Sequence, residues 1–215
     1  MPETEPWTVG RLLTWTTGYL QDHGADSPRL DAEILLAEAL GCPRIELYTR
    51  FDEVPPDEPR GTFRELVRRR AAGEPVAYLV GRREFYSMSF RVSPAVLIPR
   101  PETEHLVVTL LDLARERSTD GPVRVADVGT GSGVIAICTA KHLTASRVTA
   151  IDVCPKALDV ARQNAADHGV AEQIEFVQSD LFASVDPAAK FDFVVSNPPY
   201  LGTAELAEAA RDVRR

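Results

Sequence analysis

Long apolar runs are missing from this 215-residue chain: none reaches the roughly 20 residues that a membrane-crossing helix needs. Cysteine is scarce. Cys42, Cys138 and Cys154 are odd in number and scattered, which argues against a disulfide framework and predicts reduced thiols. The four histidines, His23, His105, His142 and His168, share no ligand spacing with each other or with a cysteine, so no metal site is expected. Positive charge is outnumbered, with 24 Lys and Arg against 32 Asp and Glu and a formal net charge of −8. That balance disfavours a protein that wraps duplex nucleic acid, because neutralising phosphates takes a basic face. The one basic cluster, Arg64, Arg68, Arg69 and Arg70, reads as a solvated helix face. The opening "MPETEPWTVG" is acidic and polar, unlike a signal or transit peptide, and a cytoplasmic location is expected. Internal repeats and low-complexity segments are absent too.

What is present is the profile of a globular protein, 44% hydrophobic and 26% charged. Residues 1–73 predict a small helical domain. In "DSPRLDAEILLAEALGCP", Ser27 is the expected N-cap, Pro28 the first helical residue and Gly41 the terminator. Leu30, Ile34, Leu35 and Ala39 recur at helical spacing as the expected buried stripe, and Leu12, Leu13, Trp15, Tyr19 and Leu20 do so in the preceding helix. At Pro75 the period changes. Tyr86, Met88, Phe90 and Val92 alternate as in a strand, and with "PVAYLVGRR" before them they predict a β-hairpin linker over 74–100. A helix follows, opened by Pro101 with acids in its first turn. From Val123 onward strands and helices alternate, which predicts an α/β domain with a parallel sheet over 101–215.

Four stretches carry candidate chemistry. "DVGTGSG", residues 127–133, joins a strand to a helix; its glycines let backbone approach a ligand beside a helix N-terminus, or simply make a tight turn. Its G-x-G-x-G spacing differs from the dinucleotide fingerprint. Asp152 ends the next strand, placed either to accept from two ribose hydroxyls or to cap the helix at Pro155. Asp180 ends the third strand, suited to an adenine amino group with Leu181 and Phe182 as walls, or to a turn. "VVSNPPYLG" ends a further strand in Asn197, Pro198, Pro199 and Tyr200. A strand stop would account for the Asn and the prolines; all four stretches together, at the carboxyl ends of parallel strands, point to a ligand site.

In this order, "IPRPETE", "DVGTGSG", "AIDV", "QSDLF" and "SNPPY" resemble the release-factor glutamine methyltransferases, the HemK-like family of class I methyltransferases. The helical "LDAEILLAEALG" region and the "EPVAYLVGRREFYSMSFRVSPAVLIPRPETE" linker resemble it as well, so the likeness covers nearly the whole chain. The resemblance implies a Rossmann-like sheet behind a substrate-recognition domain. It also implies S-adenosylmethionine as cofactor, and class I peptide chain release factors as protein substrates, methylated by a monomer on the glutamine of their Gly-Gly-Gln loop. On the same resemblance Gly129, Thr130, Gly131, Ser132 and Gly133 would hold the methionine part, Asp152 the ribose, and Asp180 with Leu181 the adenine. Asn197, Pro198, Pro199 and Tyr200 would hold the glutamine, with Asn197, Pro198 and Tyr200 serving catalysis and Asn197 also bordering the cofactor.

The sequence departs from that pattern at its end. Class I sheets have seven strands and only four are legible; three more would take on the order of 60 residues. The chain thus reads as a piece of a longer enzyme, its last strand at an open edge. Other readings are an adenine-N6 DNA methyltransferase, which would need a basic DNA-reading surface, a ribosomal-protein glutamine methyltransferase, and an inactive cofactor-binding fragment.

Overall fold

Thr8 starts the first helix: its hydroxyl accepts from the Arg11 N–H at 3.2 Å, filling a donor that the helix end leaves open. The computed structural model describes residues 6–117 and 121–198, in two compact units divided between Val80 and Gly81. The first unit is helical, with α1 (Val9–Asp22), α2 (Pro28–Leu40), α3 (Glu46–Thr49), α4 (Asp57–Ala71) and α5 (Val76–Val80). Its core is Val9, Leu13, Leu20, Leu35, Leu36, Leu47 and Phe63 with their neighbours. Each such side chain contributes about 1.5–3 kcal/mol on burial. As expected, α2 has Pro28 in its first turn and stops at Gly41 in the left-handed region (φ 62°). Ser27 precedes it without a side-chain capping bond.

The buried stripes differ from those the spacing predicts. In α1 the buried face is Val9, Leu13, Thr16 and Leu20, while Trp15 is 53% exposed and stacks on Tyr19 at 5.0 Å. In α2 Ala32, Leu35 and Leu36 are buried, Ile34 and Ala39 are half-buried, and Leu30 is exposed. Apolar residues lie on most sides of α2, so periodicity alone cannot choose the inward face; the partner helices choose it. The basic cluster on α4 is largely paired: Arg68 with Glu65, Arg69 with Glu74, and Arg70 with Asp31 of α2 at 2.8 Å.

The second unit opens with a two-stranded antiparallel hairpin, β1 (Arg82–Phe85) and β2 (Met88–Arg91). Tyr86 and Ser87 make its turn with φ of 50° and 58°, the positive-φ pair that matches strand twist. The expected hairpin is therefore shorter than predicted. "VAYLV" is the helix α5, begun by Pro75, whose carbonyl accepts from the N–H groups of Tyr78 and Leu79. Proline's fixed φ suits a helix start. Tyr86 falls in the turn, while Phe90 and Val92 are buried as the alternation predicts.

After α6 (Thr103–Glu116) come β3 (Val123–Val128), α7 (Val134–His142), β4 (Ser146–Asp152), α8 (Pro155–Asp167), β5 (Ile174–Gln178) and β6 (Phe193–Ser196). Their four-stranded sheet has the order β5-β4-β3-β6, with all pairs parallel. This is the α/β architecture that the alternation predicts. Val125, Ile135, Ile137, Val148, Leu110 and Phe90 fill the main core of this unit.

Candidate functional site

Register brings the predicted site residues to one edge of the sheet. Val128 pairs with Ile151 on one side and Ser196 on the other. One step beyond, Gly129 therefore stands between Asp152, which ends β4, and Asn197, which follows β6. Asp152 pairs in turn with Gln178, so Asp180 follows on the next strand. The Ser196 hydroxyl donates to the Val128 carbonyl at 2.7 Å and ties the end of β6 to β3. This is the carboxyl edge, where open parallel sheets bind ligands.

The loop over 129–133 turns on three glycines with positive φ, Gly129 (75°), Gly131 (56°) and Gly133 (83°), a conformation costly for other residues. The N–H groups of Gly129 and Thr130 donate to the Ile151 carbonyl at 2.8 and 2.9 Å, anchoring the loop on β4. Side-chain bulk at Gly129 or Gly131 would meet nothing within 4 Å, so the space above the loop is open. At Gly133 a Cβ would stand 3.1 Å from that of Ala161, because α8 packs close there.

Asp152 and Asp127 divide the electrostatics. Asp152 is half-buried; one carboxylate oxygen accepts from the Gly131 N–H and the other from the Cys154 N–H, both at 2.9 Å. It thus shapes the loop and the start of α8 while facing the same edge. Asp127 is completely buried. Its Oδ2 accepts from the Thr130 hydroxyl at 2.7 Å and the Ala136 N–H at 3.1 Å, while Oδ1 has no partner among the described residues. Burial pushes its carboxyl up to about 6; the two hydrogen bonds oppose that rise and the nearby Asp152 charge adds to it.

Asp180 is exposed, as are Leu181 (63%) and Phe182. Leu181 has φ 49°, an uncommon backbone state for a non-glycine residue and one found at ligand sites. Asn197 donates from Nδ2 to the Thr103 hydroxyl at 2.6 Å. Pro198 follows it, while Pro199 and Tyr200 lie outside the described residues. Gly129 to Gly133, Asp152, Asp180, Leu181, Asn197 and Pro198 therefore share one edge.

Three contributors escape sequence reasoning. Asp127 was legible only as the first residue of the glycine stretch. Thr103 sits in the first turn of α6, 94 residues from Asn197, with no local signal of that bond. Asn164 of α8 is fully buried and gives Nδ2 to the carbonyls of Ser132 (2.8 Å) and Arg91 (3.1 Å), while its Oδ1 accepts from the Arg91 N–H (2.7 Å). It joins the glycine loop to the hairpin. A buried carboxamide inside an otherwise amphipathic helix is the only hint the sequence carries.

Two family models match the chain: the PrmC N-terminal domain over residues 11–81 and the methyltransferase small domain over residues 105–212. The release factor glutamine methyltransferase of Rhodopirellula baltica is 54% identical over 210 residues, covering 97% of this chain and 71% of that protein. Its namesake from Chlorobaculum tepidum is 45% identical over 225 residues, covering 100% and 75%. That of Koribacter versatilis is 45% identical over 197 residues, covering 91% and 68%. With its glycine loop, strand-end acids and Asn197 at one edge of a parallel sheet, this chain belongs to the release factor glutamine methyltransferase family.

Proposed function

We propose that this protein transfers a methyl group from S-adenosylmethionine to the side-chain amide nitrogen of the glutamine in the Gly-Gly-Gln loop of class I peptide chain release factors. The observation that carries the reading is the meeting of the open glycine loop, Asp152 and Asn197 on three adjacent strand ends. The donor set suits the cofactor. Asp152 offers carboxylate oxygens to a ribose diol, and the exposed Leu181 beside Asp180 offers an apolar wall and an acceptor to an adenine. The loop of Gly129, Thr130, Gly131, Ser132 and Gly133 takes the amino-acid part, with open space above Gly129 and Gly131. When bound, S-adenosylmethionine supplies a methyl already activated by its sulfonium, so no strong base is needed before attack.

The chain's own task is to hold a poor nucleophile. An amide nitrogen has its lone pair delocalised into the carbonyl. Asn197 Oδ1 and the Pro198 carbonyl accept the two N–H groups of the substrate amide, which aims the nitrogen and meets the positive charge that develops on it. Proline fixes the direction of that carbonyl and brings no competing N–H. Pro199 and Tyr200, outside the described residues, are assigned to the same glutamine on the family resemblance, an aromatic side chain being suited to a planar amide or a sulfonium.

The helical domain over residues 1–73 serves substrate recognition. Its surface has an open groove of about 440 Å³ lined by Trp7, Trp15, Tyr19 and Phe63 with Arg60 and Arg64, a composition typical of protein contacts. The protein acts as a monomer in the cytoplasm, where release factors work, and needs no nucleic-acid surface of its own; no helix among the described residues is long and apolar enough to cross a membrane. The names of the relatives favour this substrate over a DNA adenine or a ribosomal-protein glutamine. The test is transfer of labelled methyl to a release factor bearing the Gly-Gly-Gln loop. Asn197→Ala should cut transfer by a hundredfold or more with cofactor affinity nearly kept, and Asp152→Ala should chiefly weaken cofactor binding. A release factor left unmethylated by the unaltered protein would end the proposal.

A further inference from the structure

A carboxamide is nearly symmetric in shape but not in chemistry, so the Asn197 amide can serve as an acceptor only if something fixes which end faces the substrate. Asn197 Nδ2 donates to Thr103 Oγ1 at 2.6 Å, and Thr103 is buried in the first turn of α6. The next residue, Glu104, accepts the Tyr86 N–H of the hairpin at 2.9 Å. One helical turn is therefore bound both to the end of β6 and to the hairpin. The Ser196 hydroxyl holds the strand end from the other side, through the Val128 carbonyl.

We infer that Thr103 is a positioning residue: by engaging the Asn197 NH₂ it turns Oδ1 outward as the acceptor for the substrate amide. This rests on the proposed role of Asn197. A flipped carboxamide would present donors to a group that itself has only N–H donors on nitrogen, and the nucleophile would lose its aim. A hydroxyl can accept from Nδ2 or donate to Oδ1; here it accepts from Nδ2, at 2.6 Å, on a short side chain fixed in a helix. Valine has the same shape without the oxygen, and serine keeps the oxygen without the methyl.

The test compares Thr103→Val and Thr103→Ser with the unaltered protein in two measurements. The first follows the side-chain ¹⁵NH₂ resonances of Asn197, assigned by their loss in Asn197→Ala. They should move in Thr103→Val and stay close to the original in Thr103→Ser. The second is methyl transfer to a release factor. Thr103→Val should lower kcat by about ten- to a hundredfold, the scale of a misaimed reacting group, with cofactor affinity within twofold and Thr103→Ser within about threefold of the parent. Unmoved Asn197 resonances in Thr103→Val overturn the inference. So does a kcat within threefold of the parent, or a joint loss of cofactor affinity and melting temperature that Thr103→Ser does not restore. If the unaltered protein methylates no release factor, the proposed function fails, and the resonances still decide whether Thr103 orients Asn197.

Discussion

Replacing Asn164 with Ala should unseat the glycine loop and the hairpin together. The carboxamide makes three hydrogen bonds in a fully buried position, two donated and one accepted. Each has a net worth of about 1 kcal/mol, and leaving buried partners unmet adds to that, so the loss should be about 3 kcal/mol or more. For a chain of this size 1 kcal/mol is about 3 °C in melting temperature, giving a fall of about 9 °C. Asn164→Asp sharpens the test. Its carboxylate could still accept from the Arg91 N–H, but it would set an oxygen against the Ser132 and Arg91 carbonyls and should cost at least as much at neutral pH. The assay is thermal and urea unfolding followed by circular dichroism, with cofactor titration as the second readout. A fall under about 3 °C for Asn164→Ala, or an Asn164→Asp protein as stable as the parent, would refute the accounting.

Asp127 makes stability pH-dependent in a definite direction. Its folded-state pKa is about 6 against an ordinary 3.8, so the folded protein holds the proton more tightly. Relative to Asp127→Asn, the parent should lose about 3 kcal/mol in all as pH rises from about 3 to about 7, about 2 kcal/mol of it between about pH 4 and 6; urea melts across that range giving a constant difference would contradict this. Gly133→Ala should destabilise by about 1–3 kcal/mol, since φ is 83° and the new Cβ would lie 3.0 Å from Ile137 Cδ1 and 3.1 Å from Ala161 Cβ. An unchanged melting temperature would mean that the loop shifts freely.

The amino-acid sequence by itself determined the local and the sequential features of this protein. Period 2 against period 3.6, prolines and glycines at element ends, and the strand–helix alternation prescribe a helical region followed by a parallel sheet, because these signals act within a few residues. The glycine loop, Asp152, Asp180 and Asn197 were legible for the same reason: each sits at the end of its own strand. Tertiary structure alone decided which face of α2 turns inward, since its apolar residues surround it and only the neighbouring helices select among them. It decided that "VAYLV" coils rather than extends, a short apolar run being compatible with either. It also decided the long-range polar contacts: Thr103 with Asn197, Asn164 with Ser132 and Arg91, and the burial that raises Asp127. Hydrogen bonds across tens of residues, and the desolvation of a carboxyl, depend on what packs nearby in space, and no local pattern in a single chain encodes that neighbourhood.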